Sequence, residues 1–356
     1  MSERKEKIIS IGQRKVGVGE PCFIIAEAGV NHNGSIQVAR ELVDVAVKAY
    51  ADAVKFQTFK PEKVCAPSAP KATYQLQSTG GDESQLEMGK KLELPFEAFR
   101  QLQVYCKSKD LLFLSTAFDY ESVDFLAELS VPAFKIPSGE ITNLPFVDYI
   151  ARKGRPLIVS TGMSTLDEVS KAVETICATG NQQLVLLQCV SNYPAQPSSV
   201  NLRAMQTLAE TFGVPVGYSD HTTGTEIASA AVALGACVIE KHFTISRDLP
   251  GPDHRASLEP DELATMVRNI RNVEAALGDG NKRPVLEEAN TAAVARRSLV
   301  AARYIPAGTV LTEELIAILR PGTGLPPAMR RQLIGRRVRR DIETGTLLSL
   351  EMMASE

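Results

Sequence analysis

The chain has 356 residues, 44% of them hydrophobic and 23% charged, with a formal net charge of −3 at pH 7. This length suits one large domain and a small one, and the composition excludes a disordered chain. The weak charge indicates neither nucleic acid nor a membrane surface as a partner. No apolar signal segment follows the charged start MSERKEKIIS, and the six cysteines lack CxxC spacing. A cytoplasmic protein is therefore expected.

Eight short apolar runs rich in β-branched residues predict β-strands. They cover residues 22–28, 53–57, 111–117, 133–137, 157–161, 184–190, 214–219 and 236–243. Segments with apolar residues at helical spacing separate them, at 36–50, 95–107, 122–129, 165–178, 202–212 and 225–234. Eight alternating units in about 250 residues predict a (β/α)8 TIM barrel, here over residues 1–280. An open doubly wound sheet is the alternative, but no G-x-G-x-x-G follows the first run.

The end of the chain has a different pattern. Residues 281–295 predict a linker, and residues 296–356 predict a small second domain. Two similar turns within this domain, at 305–309 and 342–346, each precede a leucine-rich step.

Polar side chains stand at the end of every predicted strand. They include Glu27, Lys55, Gln57, Thr116, Lys135, Ser138, Ser160, Ser191, Tyr193, Ser219, His221 and His242. Buried charges are costly unless they are paired or used. Because the carboxyl ends of barrel strands share one rim, a single convergent site is expected there.

Two histidines end neighbouring predicted strands, His221 after the seventh and His242 in the eighth. Two imidazoles with open positions beside them suit Mn²⁺, Fe²⁺, Co²⁺ or Zn²⁺ acting as a Lewis acid. A carboxylate such as Glu27, Asp220 or Asp253 could complete or orient this site. The pattern predicts a divalent metal site.

Two lysines, Lys55 and Lys135, stand at strand ends beside serine hydroxyls and glycine amides. Such a set of donors indicates an anion that carries a phosphate and a carboxylate. The alternative is an aldolase that forms an imine on Lys55 or Lys135. Imine chemistry needs no metal, so the two histidines count against it.

A further carboxylate, Glu140, follows the fourth strand. It could orient the substrate, transfer a proton or direct a water molecule, while Glu27 could bind a sugar hydroxyl. The sequence leaves this division open, as it does the roles of His32 and His254 beyond hydrogen bonding.

Seven stretches of the chain resemble the sialic acid synthase family. They are IIAEAGVNHNG (24–34), VKFQT (54–58), FKIPSGE (134–140), STGM (160–163), YSDHT (218–222), EKHFT (240–244) and PGPDH (250–254). The resemblance runs from about residue 20 to the C-terminus. It covers N-acetylneuraminate and N,N'-diacetyllegionaminate synthases, which share a TIM barrel and a C-terminal antifreeze-like (SAF) domain.

The resemblance implies a reaction between phosphoenolpyruvate and an N-acylated mannose-type sugar, with a divalent metal, usually Mn²⁺, at His221 and His242. It implies phosphoenolpyruvate binding at Lys55, Thr116, Lys135, Ser138, Ser160 and Ser219. It also implies sugar binding at Glu27, Tyr193 and Asp253, and activation of the sugar carbonyl by Glu140. C3 of phosphoenolpyruvate attacks the aldehyde, water adds at C2, and phosphate leaves by C–O cleavage.

The second domain resembles the SAF domain of the same family. There, the arginine of an Arg-Pro-Gly-x-Gly motif contacts the N-acyl group in the active site of the partner subunit. The matching stretch here is 320–324, so the resemblance implies a homodimer with exchanged C-terminal domains and a role for Arg320. Without the resemblance, Arg320 would be interpreted as a surface residue before a turn.

Two positions depart from the family pattern. Ser191 replaces an asparagine of some bacterial relatives, and Pro137 replaces the glycine of the usual G-S-G-E. Residues 66–75 and 83–88 look more like the legionaminic-acid branch, so the sugar is either N-acetylmannosamine or a 2,4-diacetamido-2,4,6-trideoxymannose. A non-catalytic sugar-binding protein is a third interpretation, suggested by the tail domain alone.

Overall fold

The computed structural model describes residues 7–354. The charged residues 1–6, on which the expectation of no export signal partly rests, lie outside the described residues. The chain divides into two compact units, Met1–Gly278 and Asp279–Glu356. Within residues 7–354, no helix is both long enough and apolar enough to cross a membrane.

The first unit is a closed barrel preceded by a hairpin of β1 (Ile9–Ile11) and β2 (Arg14–Val16). The barrel strands are β3 (Phe23–Gly29), β4 (Ala53–Thr58), β5 (Leu112–Ala117), β6 (Phe134–Ile136), β7 (Leu157–Ser160), β8 (Leu184–Cys189), β9 (Val216–Asp220) and β10 (Val238–His242). All eight pair in parallel, and β10 closes the barrel against β3. The predicted TIM barrel is confirmed.

Helices follow the strands and cover the outer face of the barrel. They are α1 (Ile36–Lys48), α2 (Pro61–Val64), α3 (Thr73–Thr79), α4 (Gln85–Leu92), α5 (Phe96–Ser108), α6 (Tyr120–Glu128), α7 (Leu144–Ala151), α8 (Leu166–Ala178), α9 (Ala204–Phe212), α10 (Glu226–Ala233) and α11 (Pro260–Leu277). Side-chain caps set their starts: Ser35 accepts from the third residue of α1, and Thr165 with Glu168 forms a capping box on α8. Helices α2 to α4 form an insertion after β4, for which the sequence pattern predicts no elements.

Apolar side chains pack on both faces of the barrel wall, which accounts for strands without polar alternation. The outer layer includes Ile24 and Phe56, which pack with the helices. The inner layer includes Ile25 and Leu114, together with three residues of the hairpin, Ile9, Ile11 and Val16. The hairpin therefore closes the amino-terminal end of the barrel with apolar side chains.

The second unit contains the antiparallel pair β11 (Ser298–Ala301) and β12 (Ile316–Leu319), with helices α12 (Ala289–Ala295) and α13 (Arg330–Leu333). It has an apolar core of its own, which includes Leu299, Ile316 and Leu348. The segment 281–295, predicted as a linker, differs from a plain linker because it includes α12.

Candidate functional site

Side chains inside the barrel change from apolar to polar along each strand. Ile25 and Val238 belong to the apolar inner layer, whereas Glu27 and Glu240, two residues further on, line a cavity. Alternation along a strand puts residues two apart on one face, so a single strand contributes first to the core and then to the site. The polar ends therefore meet at the carboxyl end of the barrel.

The cavity at this end has a volume of about 410 Å³. It brings together thirteen of the residues predicted from the sequence, namely Glu27, Lys55, Gln57, Thr116, Lys135, Ser138, Ser160, Ser191, Tyr193, Ser219, His221, His242 and Asp253. These residues come from all eight strands or from the loops that follow them. The structure therefore brings the polar strand ends together at one cavity, as expected.

Two lysines and two glutamates form the buried centre of the cavity. Lys55 Nζ lies 2.8 Å from Glu27 Oε2 and 3.6 Å from Glu240 Oε2, and it donates to Thr116 Oγ1 at 2.8 Å. Lys135 Nζ lies 3.1 Å from Glu240 Oε1, which also accepts from Ser219 Oγ at 2.9 Å. Glu240 thus bridges both ammonium groups.

Burial and pairing shift the pKa values of these groups in different directions. Burial raises the pKa of Glu27 to about 7, although attraction to Lys55 opposes the shift. Burial also disfavours the charged form of Glu240, but attraction to Lys135 and Lys55 outweighs it and holds the pKa of Glu240 below its usual range. Burial lowers the pKa of Lys135, since Glu240 offsets only part of the cost. The centre can therefore hold a proton on Glu27 near neutral pH.

Hydroxyl and amide donors line the side of the cavity formed by β6 to β8. Ser138 Oγ accepts from the Gly162 amide at 3.0 Å. The buried Ser160 Oγ has no hydrogen-bond partner among the described residues. A Cβ on Gly162 would lie 2.3 Å from Ser191 Oγ and 2.8 Å from Ser138 Oγ, so a larger residue here would displace both hydroxyls from their present positions.

The two histidines lie side by side at the rim. The ring centroids of His221 and His242 are 5.5 Å apart with an interplanar angle of 55°. His221 Nδ1 contacts the Val190 carbonyl oxygen at 2.8 Å, which assigns a proton to Nδ1 and makes Nε2 the nitrogen that the neutral ring can offer to an ion. Burial lowers the pKa of His221, but attraction to Cys189 and the bond to Val190 outweigh it and raise the pKa. His242 Nδ1 is buried and has no hydrogen-bond partner in the described part of the chain. Both rings can therefore offer a nitrogen to one ion.

The protonation state of His242 and the residues near the two histidines determine what kind of metal site can form here. Burial lowers the pKa of His242 well below its usual value, which keeps this imidazole neutral, the form that binds metals. Asp253 Oδ2 lies 3.9 Å from His242 Nδ1. Over residues 7–354, no group of three or more His, Cys, Asp or Glu residues is arranged to hold an ion. The residues fit a metal bound by two imidazoles, with the other positions left to water or substrate.

Aromatic and loop contacts hold the residues beside the histidines. The Tyr193 ring lies 4.1 Å from the His221 ring and 4.9 Å from the Tyr74 ring, measured between centroids. Asp253 lines the cavity, and the next residue, His254, contacts Thr244 Oγ1 through Nδ1 at 2.7 Å. His254 thereby fixes the loop that carries Asp253.

His32 does not line the cavity. Its Nδ1 accepts from the Gly34 amide at 3.1 Å, and burial lowers its pKa to about 4. This neutral ring belongs to the packed turn after β3.

Two predicted site residues lie elsewhere. Glu140 is not among the residues that line the cavity: it ends a 3-10 turn, Ser138–Glu140, and its Oε2 accepts from Asn143 Nδ2 at 2.7 Å. Arg320 belongs to the second unit, where it is exposed and its Nε donates to the Ala295 carbonyl at 3.1 Å. A Cβ on Gly322 would lie 2.4 Å from Arg296 Cβ, so the turn after Arg320 is packed too tightly for another residue.

Sequence reasoning leaves out several residues that line the cavity. One of them is Glu240, the carboxylate that bridges both lysines. It lies in the family stretch 240–244 but is not assigned to the site from the sequence. Its signal is the spacing of two from His242, which puts both on the inner face and Lys241 on the outer face. Residues of the insertion, Tyr74 and Met88 among them, also line the cavity, and no strand pattern points to them.

Comparisons with known proteins agree with this architecture. Residues 42–282 match the NeuB family and residues 296–354 match the SAF domain. The N,N'-diacetyllegionaminic acid synthases of Legionella pneumophila and Campylobacter jejuni are each 47% identical, over 96% and 88% of this chain and over 97% and 95% of their own lengths. A crystal structure of N-acetylneuraminic acid synthetase from Leptospira borgpetersenii superposes with a TM-score of 0.71 at 35% identity, covering 80% of this chain and 95% of that one.

These matches extend over both units, and the relatives named are synthases. The chain therefore belongs to the NeuB family, as an enzyme of the sialic and legionaminic acid synthase type that carries a C-terminal SAF domain.

Proposed function

We propose that this enzyme condenses phosphoenolpyruvate with an N-acylated mannose-type sugar. The reaction is proposed to use a divalent metal held by His221 and His242, with Mn²⁺ as the first candidate. A new bond joins C3 of phosphoenolpyruvate to the aldehyde carbon of the sugar. Water adds at C2, and the C–O bond to phosphate breaks. The observation that carries the proposal is one cavity that combines paired imidazoles with two buried lysines.

Phosphoenolpyruvate is proposed to bind over Lys55 and Lys135. Both ammonium groups line the cavity, where an anion can accept charge-assisted hydrogen bonds from them. Ser160 adds a hydroxyl that lacks a partner within the described residues. The Ser138, Thr116 and Ser219 hydroxyls surround the same space.

When bound, a divalent metal supplies Lewis-acid polarisation of the aldehyde. The imidazoles of His221 and His242 hold it at the rim. Glu27, with a pKa raised to about 7 by burial, can hold or accept a proton at its carboxylate beside the reacting atoms. Gln57 donates to Glu27 Oε1 at 3.4 Å and, together with Tyr193 and Asp253, is proposed to bind the sugar.

The sugar is proposed to be a 2,4-diacetamido-2,4,6-trideoxymannose, with N-acetylmannosamine as the second candidate. Two relatives that are 47% identical are named N,N'-diacetyllegionaminic acid synthases, and this supports the first candidate. Feeding each sugar with phosphoenolpyruvate and weighing the products decides between them. Glu140 remains a predicted catalytic residue, and its contact with Asn143 must break if its carboxylate is to reach a substrate.

The metal requirement is tested by chelation. Activity should vanish when the enzyme is treated with a chelator and return with Mn²⁺, and His221→Ala or His242→Ala should abolish it. Turnover that resists the chelator would remove the metal from the mechanism. Borohydride treatment with pyruvate should leave the intact mass unchanged, because a permanent adduct would indicate the imine-forming alternative on Lys55 or Lys135.

Arg320 is proposed to act in the cavity of a partner subunit, in a homodimer with exchanged C-terminal domains. Mixed dimers of Arg320→Ala and His221→Ala test this, because each variant alone is inactive but one of the two sites in a mixed dimer is complete. Random mixing should restore about a quarter of the wild-type activity. Mixtures as inactive as the separate variants would refute the exchange.

A further inference from the structure

One wall of the cavity is apolar, and the proposed reaction uses none of it. Val30, Phe59, Val64, Met88 and Leu92 form this surface, the apolar wall. We propose that the apolar wall binds the end of the acceptor sugar farthest from its aldehyde, and that it selects sugars whose far end is deoxygenated and acylated over sugars that are hydroxylated there. The inference rests on the proposed function, because it assumes a sugar substrate.

Four of the five residues of the apolar wall form a separate cluster and not an edge of the barrel core; Val64 lies outside that cluster but lines the same cavity. Val30, Met88 and Leu92 pack together with Phe59 against them, apart from the two apolar layers of the barrel. The Phe59 ring meets the Phe118 ring edge-on at 6.2 Å between centroids. Three members are almost fully buried, with exposed fractions of 5 to 8%. The wall is therefore formed before any ligand binds.

The strand order locates the wall relative to the reacting groups. His221 and His242 follow or end β9 and β10, and β10 pairs with β3. Val30 follows β3, and Phe59 and Val64 follow β4, so the wall begins next to the histidines.

Most of the anion-binding groups lie away from the wall: Thr116, Lys135 and Ser160 belong to β5, β6 and β7. Lys55 belongs to β4, but it comes two residues before Gln57 on the inner face and so lies deeper in the barrel than the loop that carries Phe59 and Val64. A sugar whose aldehyde lies at the histidines and whose partner lies over the lysines therefore has room to extend above β3 and β4. This path passes Glu27 and Gln57 and reaches the apolar wall.

The chemistry of the wall suits a methyl or an acetyl group. A hydroxyl turned towards Val64 or Met88 gives up hydrogen bonds to water and finds no oxygen or nitrogen in those side chains. An acyl amide needs one polar partner, and Gln85 lines the cavity beside the wall, where its Oε1 contacts Cys65 Sγ at 3.6 Å. Val64 remains 42% exposed, so apolar surface is still available for a ligand to cover.

The test changes the polarity of the wall and leaves its shape in place. Val64→Thr keeps the side-chain volume and adds a hydroxyl, and Met88→Gln is its counterpart on α4. For each protein, kcat/KM is measured with a 4-acetamido-4,6-dideoxy acceptor and with the matching acceptor hydroxylated at both positions. The ratio of the two values does not depend on the fraction of protein that is folded.

Wild-type enzyme should prefer the deoxygenated sugar, and each variant should shift the ratio about tenfold towards the hydroxylated one. Val104→Thr is the matched control, because Val104 lies on α5, is 68% exposed and does not line the cavity; its ratio should equal that of the wild type. A ratio unchanged in Val64→Thr and Met88→Gln overturns the inference.

Binding titrations of the two sugars, without phosphoenolpyruvate, separate this inference from the proposed function. Tighter binding of the deoxygenated sugar, lost in the variants, supports the wall even if no condensation occurs. If both sugars are turned over and the ratio of their kcat/KM values is the same in wild type and variants, the inference about the apolar wall is wrong. The proposed function is then unaffected. If neither sugar binds and neither is turned over with phosphoenolpyruvate, both the inference and the proposed function are overturned.

Discussion

Two buried ion pairs that share strand β10 differ in what surrounds them. Lys241 Nζ lies 2.8 Å from Asp220 Oδ2 on the outer face of the barrel, and Lys135 Nζ lies 3.1 Å from Glu240 Oε1 on the inner face. The outer carboxylate also accepts from the Thr222 amide and hydroxyl. The inner pair faces a cavity of about 410 Å³.

The difference teaches how to separate structural charges from functional ones. Burial is equal in the two pairs, with side-chain exposures of 0 to 5%, so burial alone does not distinguish them. The outer pair has protein hydrogen bonds on its remaining sides, whereas both members of the inner pair line the cavity. The outer pair should therefore support stability, and the inner pair should support binding.

The largest effect is expected from Lys241→Met. This change leaves Asp220 buried without its cation, so the free energy of unfolding should fall by about 3–5 kcal/mol. Urea denaturation measures the loss. The control is Lys109→Met, whose exposed pair with Asp44 at 3.4 Å should be worth less than about 1 kcal/mol. Equal losses in both variants would contradict the structural role of the outer pair.

Lys135→Met tests the inner pair. It removes a cation proposed to bind phosphoenolpyruvate, so kcat/KM for that substrate should fall about 10²–10³-fold. Steady-state phosphate release measures this. The unfolding free energy should fall less than in Lys241→Met, because water can enter the cavity beside Glu240. Near-normal kcat/KM together with a large loss of stability would reverse the assignment.

Ser160→Ala should have the smallest effect. Ser160 Oγ is buried without a hydrogen-bond partner in the described part of the protein, so removing it should leave stability nearly unchanged. One bond to an anion is lost, and KM for phosphoenolpyruvate should rise about tenfold. Ser115→Ala is the opposite control: Ser115 Oγ is 2.7 Å from Thr58 Oγ1, so stability should fall by about 1 kcal/mol with KM unchanged.

The barrel could be predicted because its signal is local and repeated. Eight apolar runs, each longer than a turn and separated by helical patterns, correspond one by one to β3 to β10. The hairpin could not be predicted in the same way. β1 and β2 have three residues each, and their burial depends on contact with the barrel interior and not on their own pattern.

The site was predictable where a side chain lies on a strand and less so where it lies on a loop. Lys55 and His242 are fixed by strand register, so their convergence follows from the fold. Glu140 follows the end of β6, and a turn directs its carboxylate to Asn143. Met88 and Leu92 reach the cavity from the insertion after β4, whose placement depends on tertiary packing with Val30.

The hairpin closes the amino-terminal end of the barrel, so the cavity opens only at the carboxyl-terminal end. Ile9, Ile11 and Val16 pack against the inner apolar layer at the closed end. Substrates and products must therefore use the same opening. In the proposed reaction, phosphate forms over Lys55 and Lys135, deeper in the barrel than the larger sugar acid, so we expect the sugar acid to leave first. For the same reason we expect phosphoenolpyruvate to bind before the sugar, an order that would follow from the closed end of the barrel, which takes no part in the chemistry.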